Sequence, residues 1–448
     1  MTIERTTLKL AILHAIILVI AICLRLYFVN NITWIARSDT RDFHEYALNL
    51  LSGKGFLCDW HEHPAWQGFV SRQVHAPGYP LLLAAIYKIT GFNKDVYLNS
   101  PMARQVPARA PLIAAGFNPI YPLYFNILLD AISMICLVLL CRHRGLYKES
   151  VIAQLLYLPF VFWTPILIAE TAFITCFISF ITICSIYEEL SSYLLSFMKG
   201  LILGAAFMIK PIAVTLIPIV LVQFLKVRTL KAMLHGVVIA VPIALVVLFM
   251  FYRSYTYYGE YFYISTGGQH LADNSFSVDK NSEYVALANK LGRVPNESEV
   301  NTYFYGRVRQ IIAEDPWVGI KAYFRNMIGL FSLKPPWNMQ WIWNAGFFYS
   351  ESARNLHMML FNWNYLIYPL GIIGFIIYFR MFPYASIAIM SFLVIQPASG
   401  YGTYRYFAPI AALFPLYGAA LIGKIPAWMA IQRTAQARSG EILHATNN

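Results

Sequence analysis

The chain is organised around one hydrophilic stretch, Arg37-Ser-Asp39-Thr-Arg-Asp42-Phe-His-Glu45-Tyr46-Ala-Leu-Asn49-Leu-Leu-Ser-Gly53-Lys-Gly55-Phe56. It follows the first long apolar segment, and its pattern predicts a helix that ends at the two glycines. Asp39 and Asp42 would then share one face of that helix. Carboxylates beside a bilayer carry a desolvation cost, which makes them candidates for chemistry, although a solvated acidic loop would give the same pattern.

The composition indicates a membrane protein. The sequence has 448 residues, of which 58% are hydrophobic and 12% charged, whereas a soluble domain carries about a quarter charged residues. Apolar runs of about 17 to 25 residues recur, and each can cross a hydrocarbon core of about 30 Å. The predicted fold class is therefore an all-α polytopic membrane protein. The net charge of +12 fits basic cytoplasmic loops and anionic lipid headgroups better than it fits nucleic acid.

About ten membrane spans are predicted, at residues 8–29, 119–141, 151–166, 168–187, 195–209, 211–226, 233–252, 359–379, 383–398 and 406–423. With this arrangement the Lys and Arg residues of the short loops collect on one side, so both termini are expected in the cytoplasm. The segments 77–92 and 316–333 are too short or too polar to span a bilayer, and we expect them to lie at its surface.

The same pattern divides the chain into four regions. Residues 1–252 form an N-terminal transmembrane module, and its first outer loop, 30–118, carries the acidic stretch. Residues 253–355 form an outer-side loop or lid region. Residues 356–424 form the C-terminal spans, and residues 425–448 form a cytoplasmic tail. The expected location is the cell membrane, of the bacterial inner-membrane type, with the active site on the outer face.

This topology places further charged residues on the outer side together with Asp39. Glu170 lies before the fourth span, Lys210 after the fifth, Arg253 at the end of the seventh and Arg405 at the start of the last. Each has an ordinary explanation, because bases at span ends reach for the interface and an acid can stabilise a helix N-terminus. Together, carboxylates and cations suit the deprotonation of an alcohol beside a phosphate leaving group.

Seven segments carry a family resemblance: Ser38–Phe43, Ala47–Phe56, Pro77–Ala84, Glu170-Thr171, Gly200–Pro211, Arg253–Gly268 and Arg405–Pro409. In order and spacing they resemble the GT-C membrane glycosyltransferases, in particular the family 39-like branch akin to protein O-mannosyltransferases and lipid A aminoarabinose transferases. The resemblance covers about residues 8–423. It implies a GT-C fold and transfer of a hexosyl or pentosyl group from a polyprenyl-phosphate donor to an acceptor hydroxyl on the outer face.

The resemblance also implies roles for the acidic residues. Asp39 takes the place of the general base, Asp42 is the second acid of the same motif, and Glu170 matches an acid of the second outer loop. No covalent intermediate is required, so we expect inversion at the anomeric carbon. The sequence establishes no cofactor, but Asp42 or Glu170 could hold a divalent cation, because hard carboxylates suit Mg²⁺ or Mn²⁺.

Two further groups of residues are expected to bind substrate. The candidates for binding the donor phosphate are three cations at span ends, Lys210, Arg405 and Arg253. The candidates for positioning donor or acceptor are Tyr79, His75 and Tyr406. Lys210 stands where the family often has an arginine before proline. A lysine keeps the positive charge but cannot make the bidentate hydrogen bonds of an arginine to phosphate.

Two other function classes remain open. A lipid-linked sugar flippase or other transporter would often show inverted repeats and broken helices, and neither is visible in the sequence. A polysaccharide polymerase or ligase would share the donor and the topology, but it would be expected to rely on arginines in large outer loops, whereas the Asp39 motif favours a transferase. The sugar, the metal dependence and the acceptor (a protein, a glycan or a lipid) stay open as well.

Overall fold

The computed structural model describes residues 2–31, 38–59, 69–72, 75–91, 120–166, 168–188, 192–227, 229–262, 264, 267–331, 343, 348, 350–400 and 404–424. Five helices in this part of the chain are long and apolar enough to cross a bilayer: Leu8–Asn31, Ile120–His143, Leu230–Tyr258, Glu351–Tyr378 and Tyr406–Lys424. Five shorter apolar helices cover Glu149–Val161, Glu170–Ile186, Tyr193–Ile209, Pro211–Lys226 and Pro383–Ser399. Each overlaps one predicted span, which confirms an all-α polytopic membrane protein.

The first part of the chain contains helices α1 (Thr2–Asn31), α2 (Ser38–Leu51), α3 (Gly78–Thr90), α4 (Ile120–His143), α5 (Glu149–Tyr157), α6 (Glu170–Ile186), α7 (Tyr193–Ile209), α8 (Ile217–Val227) and α9 (Leu230–Tyr258). Short 3-10 helices at Leu158–Trp163 and Pro211–Leu216 follow α5 and precede α8. Two short strands, β1 (Cys58–Asp59) and β2 (Val70–Ser71), pair antiparallel with Cys58 opposite Ser71.

The second part contains α10 (Gly267–His270), α11 (Lys280–Leu291), α12 (Glu297–Glu314), α13 (Pro316–Leu330), α14 (Glu351–Asn362), α15 (Asn364–Tyr378), α16 (Pro383–Ile395) and α17 (Tyr404–Ala411). A π-helical turn, Leu271–Ser275, follows α10, and a 3-10 helix, Gln396–Ser399, follows α16. The last helix, α18, covers residues 414–424. Helices α3 and α13 occupy the two segments that the sequence predicts as surface helices.

Helices α7 and α9 pack closely because small residues face their contact. A Cβ atom on Gly200 would lie 2.5 Å from the carbonyl oxygen of Ile239, and one on Gly204 would lie 3.3 Å from that of Pro242. Inside a bilayer there is little hydrophobic force between helices, so close backbone approach of this kind supplies much of the association. Because the residue numbers increase together at the two contacts, α7 and α9 run in the same direction.

Helix α9 continues beyond residue 252, where the sequence places the end of its span. The apolar run does stop there, but the following turn carries Tyr255, Tyr257 and Tyr258, and tyrosines are well suited to the interface of a bilayer. The helix ends where Gly259 adopts a left-handed conformation with φ of 71°. Arg253 therefore lies inside the helix and not at its end.

A buried ion pair joins α1 to α4. Arg25 Nε donates to Asp130 Oδ2, and Arg25 Nη1 donates to the carbonyl oxygen of Ala21 at 3.1 Å. Tyr157 OH donates to Asp130 Oδ1 at 2.8 Å. Mutual pairing compensates two charges that would each be costly in hydrocarbon. Asp130 thus has a structural role, and Arg25 is a partner that sequence reasoning missed although both charges lie visibly within apolar runs.

Hydrogen bonds connect the helices between α9 and α14 to one end of the bundle. Asn326 Nδ2 of α13 donates to the carbonyl oxygen of Pro397 at 3.0 Å. Glu297 in the first turn of α12 accepts a hydrogen bond from the backbone N–H of Arg72 at 2.7 Å and another from the hydroxyl of Tyr258. These contacts hold α12 and α13 against the ends of α9 and α16.

Candidate active site

One hydrophobic cluster joins the helices of the first loop to the ends of the membrane helices. It contains Phe43 from α2, Tyr79 from α3 and Ala169 just before α6, and Ile209 at the end of α7 packs against it. Tyr79 is itself a predicted site residue. Phe43, Ala169 and Ile209 are the direct neighbours in sequence of Asp42, Glu170 and Lys210, respectively. The structure thus brings Asp42, Tyr79, Glu170 and Lys210 to the same end of the bundle.

Asp42 is buried within a small polar cluster. Its Oδ2 lies 3.3 Å from His75 Nε2, and its Oδ1 lies 3.5 Å from the thiol sulfur of Cys58. The same sulfur lies 3.4 Å from Glu45 Oε2. Sequence reasoning identified Asp42 and His75 and gave no role to Glu45 or Cys58. The signal for Glu45 was available, because it follows Asp42 by three residues and so lies on the same helix face.

Asp39 occupies a different environment from Asp42. It lies in the first turn of α2 and is partly exposed, whereas Asp42, one turn further along, is buried. The positive end of the helix dipole favours a negative charge in the first turn. Of the two acids, Asp39 is therefore the more accessible to an incoming substrate.

Glu170 and Lys210 form a buried ion pair. Lys210 Nζ donates to Glu170 Oε1 at 2.8 Å, and the side chains are 16% and 1% exposed, respectively. Glu170 begins α6, where the helix dipole favours its charge. Lys210 has an extended backbone because the following residue, Pro211, disfavours a helical conformation before it. Lys210 Nζ also lies 5.5 Å from the centre of the Tyr406 ring.

Tyr79 is completely enclosed beside this pair, and Asn126 of α4 orients it. The Asn126 amide lies 3.5 Å from the Tyr79 hydroxyl and also donates to the carbonyl oxygens of Ile166 and Thr164 at 3.2 and 3.4 Å. Burial raises the pKa of Tyr79, the hydrogen bond from Asn126 lowers it, and the charge of Glu170 raises it further. The hydroxyl is therefore neutral near pH 7 and can donate a proton to a hydrogen bond. Asn126 had no role in the sequence analysis.

Gly78 allows α3 to touch the end of α7. A Cβ atom on this glycine would lie 2.6 Å from the carbonyl carbon and 2.7 Å from the carbonyl oxygen of Met208. These are backbone atoms, so a side chain at Gly78 would force the helices apart. The missing side chain thus brings Tyr79 close to the turn that carries Lys210.

Arg253 and Lys210 have different neighbours. It is 4% exposed, and its guanidinium carbon lies 4.2 Å from the centre of the Phe56 ring. All three guanidinium nitrogens are buried and have no hydrogen-bond partner in the described part of the chain. A desolvated cation–π contact contributes about 2 kcal/mol, whereas burial of a charge costs several kcal/mol. The contact with Phe56 therefore offsets only part of the cost of burying Arg253.

The predicted metal ligands do not form a shared site. Asp42 contacts His75 and Cys58, whereas Glu170 binds the ammonium group of Lys210, which would repel a second cation. Among the residues that the structure describes, no group of three or more His, Cys, Asp or Glu side chains is arranged to hold a metal ion. The donor set therefore does not fit a metal held jointly by the two carboxylates.

Arg405 belongs to the first turn of α17, but its side chain lies outside the described part of the structure. Tyr406, the next residue, is partly buried and faces Lys210 at the distance given above. The role predicted for Arg405 as a ligand of the donor phosphate therefore stays a prediction.

Neither a protein-family model nor a curated protein matches the sequence, but solved structures do. Archaeoglobus fulgidus oligosaccharyltransferase, tethered to an acceptor peptide containing the NVT sequon, matches over 94% of this chain and 50% of its own at 14% identity, with a TM-score of 0.52. Its complex with zinc and sulfate matches with a TM-score of 0.50. The chain thus spans half the length of that protein.

Two other transferases match less well. The Pmt1-Pmt2 protein O-mannosyltransferase complex of S. cerevisiae, bound to the sugar donor, matches over 56% of this chain and 34% of its own at 16% identity and a TM-score of 0.40. ArnT from Cupriavidus metallidurans, bound to undecaprenyl phosphate, matches over 90% of this chain and 77% of its own at 10% identity and a TM-score of 0.39. The likeness to the archaeal protein establishes the fold, which this chain shares with that oligosaccharyltransferase, and the apolar helices described above make the chain an integral membrane protein.

Proposed function

We propose that this chain is a membrane glycosyltransferase of the GT-C type, which moves a sugar from a polyprenyl-phosphate donor to the hydroxyl group of an acceptor. The observation that carries the proposal is the hydrophobic cluster containing Phe43 and Tyr79, which holds the acidic helix α2 beside the Glu170–Lys210 ion pair. A carboxylate and a cation are thereby available at one end of a membrane bundle, as this reaction needs.

In the proposed mechanism Asp39 is the general base. An acceptor hydroxyl is a poor nucleophile, and a positioned carboxylate speeds its attack by about 10² to 10⁴-fold. Asp39 takes the hydroxyl proton while the acceptor oxygen bonds to the anomeric carbon of the sugar. The bond from that carbon to the phosphate oxygen breaks in the same displacement, so the configuration at the anomeric carbon is inverted.

Lys210 is proposed to stabilise the departing phosphate. This leaving group needs no general acid, because a cation can balance its developing charge. Glu170 holds the ammonium group of Lys210 in place through the hydrogen bond between them, and the neutral hydroxyl of Tyr79 is enclosed beside the pair. Arg405 joins this role on sequence grounds, and the ring of Tyr406 borders the ammonium group. No step is routed through a metal ion.

The remaining parts of the proposal concern the whole chain. The spans within 1–252 and 356–424 form the bundle, and the prenyl chain of the donor lies against their apolar faces. Region 253–355 covers the polar end, which is supported by the contacts of Glu297 and Asn326. This end faces outward from the cell membrane. The acceptor is a protein, a glycan or a lipid that carries a free hydroxyl.

The test is a transfer assay with purified protein and radiolabelled polyprenyl-phosphate sugars. We expect Asp39→Asn to reduce transfer about 10² to 10⁴-fold, whereas Glu314→Gln, a substitution of an exposed acid on α12, leaves it unchanged. Undiminished transfer by folded Asp39→Asn would exclude this base. If the wild type releases sugar from no donor but moves lipid across liposomes, the chain is a transporter. An arm with EDTA determines whether transfer needs a divalent metal.

A further inference from the structure

We infer that Arg253 forms a second anion site, which binds a phosphate or carboxylate group of the substrate other than the donor phosphate at Lys210. The inference rests on the proposed function, since it concerns the same substrates. It differs from the role that the sequence suggests for Arg253, which is to share the donor phosphate with Lys210.

The guanidinium group of Arg253 has no hydrogen-bond partner in the described chain. A guanidinium group carries five N–H donors in a planar fork, and its three nitrogens are buried without an acceptor in the described chain. Phe56 covers one face of the group, so a partner must approach along the edge. Two parallel hydrogen bonds to an oxyanion fit that edge. A buried guanidinium group that receives no hydrogen-bond acceptor from the described chain is thus matched by an anionic ligand.

The neighbours of Arg253 include a carboxylate that is already engaged by other donors. The guanidinium group of Arg72 stacks 4.5 Å from the ring centre of Tyr257, and the backbone N–H of Arg72 donates to Glu297. Tyr257 and Glu297 also interact electrostatically with Arg253. Glu297 is the one carboxylate among these interaction partners of Arg253, and its Oε2 already accepts hydrogen bonds from the backbone N–H of Arg72 and the hydroxyl of Tyr258. This carboxylate is thus engaged by other donors and gives Arg253 no hydrogen bond.

Arg253 and Lys210 lie at different levels along the bundle. The two glycine contacts described above set the register of the parallel helices α7 and α9. Extending that register places Lys210 level with about residue 248, so Arg253 lies roughly 7 Å further along the bundle. Lys210 contacts Glu170, whereas Arg253 contacts Phe56. A donor that enters from the bilayer places its lipid-linked phosphate at Lys210, and the group at Arg253 lies beyond that phosphate.

Two parts of the substrate have this chemistry. One is the second phosphate of a carrier diphosphate, and the other is an acidic group on the acceptor. Both present oxygens to a guanidinium group in the same way, so the two sources have to be separated by experiment.

The experiment follows thermal unfolding of the full-length protein, which reports binding without turnover. The protein is first saturated with undecaprenyl phosphate and then titrated with orthophosphate. We expect orthophosphate to raise Tm further in the wild type. Arg253→Gln should weaken this second response at least 10-fold, and Arg253→Lys should weaken it less because the charge remains. Arg309→Gln, on the exposed side of α12, is the matched control and should leave the response unchanged.

Replacing undecaprenyl phosphate with undecaprenyl diphosphate separates the sources. If the diphosphate abolishes the orthophosphate response of the wild type, the second phosphate of the carrier occupies the site. If the response persists, the site serves the acceptor. The inference is overturned if orthophosphate has no effect on the saturated wild type, a result that needs no variant to fold. It is also overturned if folded Arg253→Gln responds like the wild type. A wild type that binds both ligands but releases no sugar would overturn the proposed function and leave this site standing.

Discussion

At the scale of single residues, the Glu170–Lys210 pair makes the site vulnerable to changes that remove one charge. Glu170 is 1% exposed, so Lys210→Gln leaves a buried carboxylate without its cation. We expect this variant to lose about 3 to 5 kcal/mol of unfolding free energy. The double variant Glu170→Gln with Lys210→Gln should be more stable than Lys210→Gln alone. Thermal unfolding in detergent measures both, and a double variant as unstable as the sum of the single ones would show that the pair is not coupled.

His44 makes stability depend on pH. The ring is completely buried, with Nδ1 2.7 Å from the hydroxyl of Tyr87, and burial lowers the pKa of His44 from 6.5 to about 3. The unfolded chain therefore takes up a proton below about pH 6.5, whereas the folded chain does not until about pH 3. The resulting stability is present above pH 6.5 and declines as the pH falls, by up to about 1.4 kcal/mol per pH unit.

We expect His44→Gln to reduce the fall in Tm between about pH 7 and pH 4.5, because glutamine cannot be protonated. The matched control is His143→Gln, since His143 is exposed at the end of α4, and it should follow the wild type. If the wild type and His44→Gln lose Tm equally over this range, protonation of His44 does not govern the acid sensitivity.

Sequence reasoning found individual residues more readily than it found their partners. Asp39, Lys210 and Arg253 stand out because a charge next to an apolar run is unusual in itself. The pairing of Lys210 with Glu170 joins residues 40 positions apart and leaves no local pattern. The lack of a hydrogen-bond partner for Arg253 in the described chain depends on where the Phe56 ring lies. Composition cannot show this packing.

At the scale of helices, the contact between α3 and α7 controls the geometry of the site. Gly78→Ala would place a Cβ atom against the backbone of Met208, and overpacking of this kind costs about 1 to 3 kcal/mol. We expect a lower Tm and reduced transfer, because Tyr79 would move away from Lys210. Gly306→Ala is the matched control, since nothing lies within 4 Å of its Cβ position. Equal Tm values for the two variants would show that α3 can shift without cost.

The helices themselves could be predicted because hydropathy and length determine which segments cross a bilayer. The end of α9 could not be predicted, because the apolar run stops at residue 252 whereas the helix continues through Tyr255 and Tyr258 as far as Gly259. Neither could the packing of α3 on α7, because it depends on the space beside one glycine, Gly78.

At the scale of the whole molecule, the proposed site requires that α2 and the C-terminal end of α18 lie on opposite sides of the membrane. Lys54 and Lys424 are both exposed. We expect Lys54→Cys to react with a membrane-impermeant maleimide in intact cells, and Lys424→Cys to react only after the membrane is opened. The reverse pattern of labelling would place the acidic helix on the cytoplasmic face and contradict the proposed orientation.

The ion pair between α1 and α4 also has a consequence for biosynthesis. Arg25 leaves the ribosome 105 residues before Asp130, so the first helix reaches the translocon without its counter-charge. An unpaired arginine at the centre of a span disfavours insertion by about 2.5 to 3.5 kcal/mol, which is an upper limit for Arg25 because it lies in the C-terminal third of the span Leu8–Asn31. We expect the integration of α1 to become fully stable only once α4 has been synthesised and Asp130 can pair with Arg25. A truncated chain that ends before α4 should leave its first helix only loosely integrated.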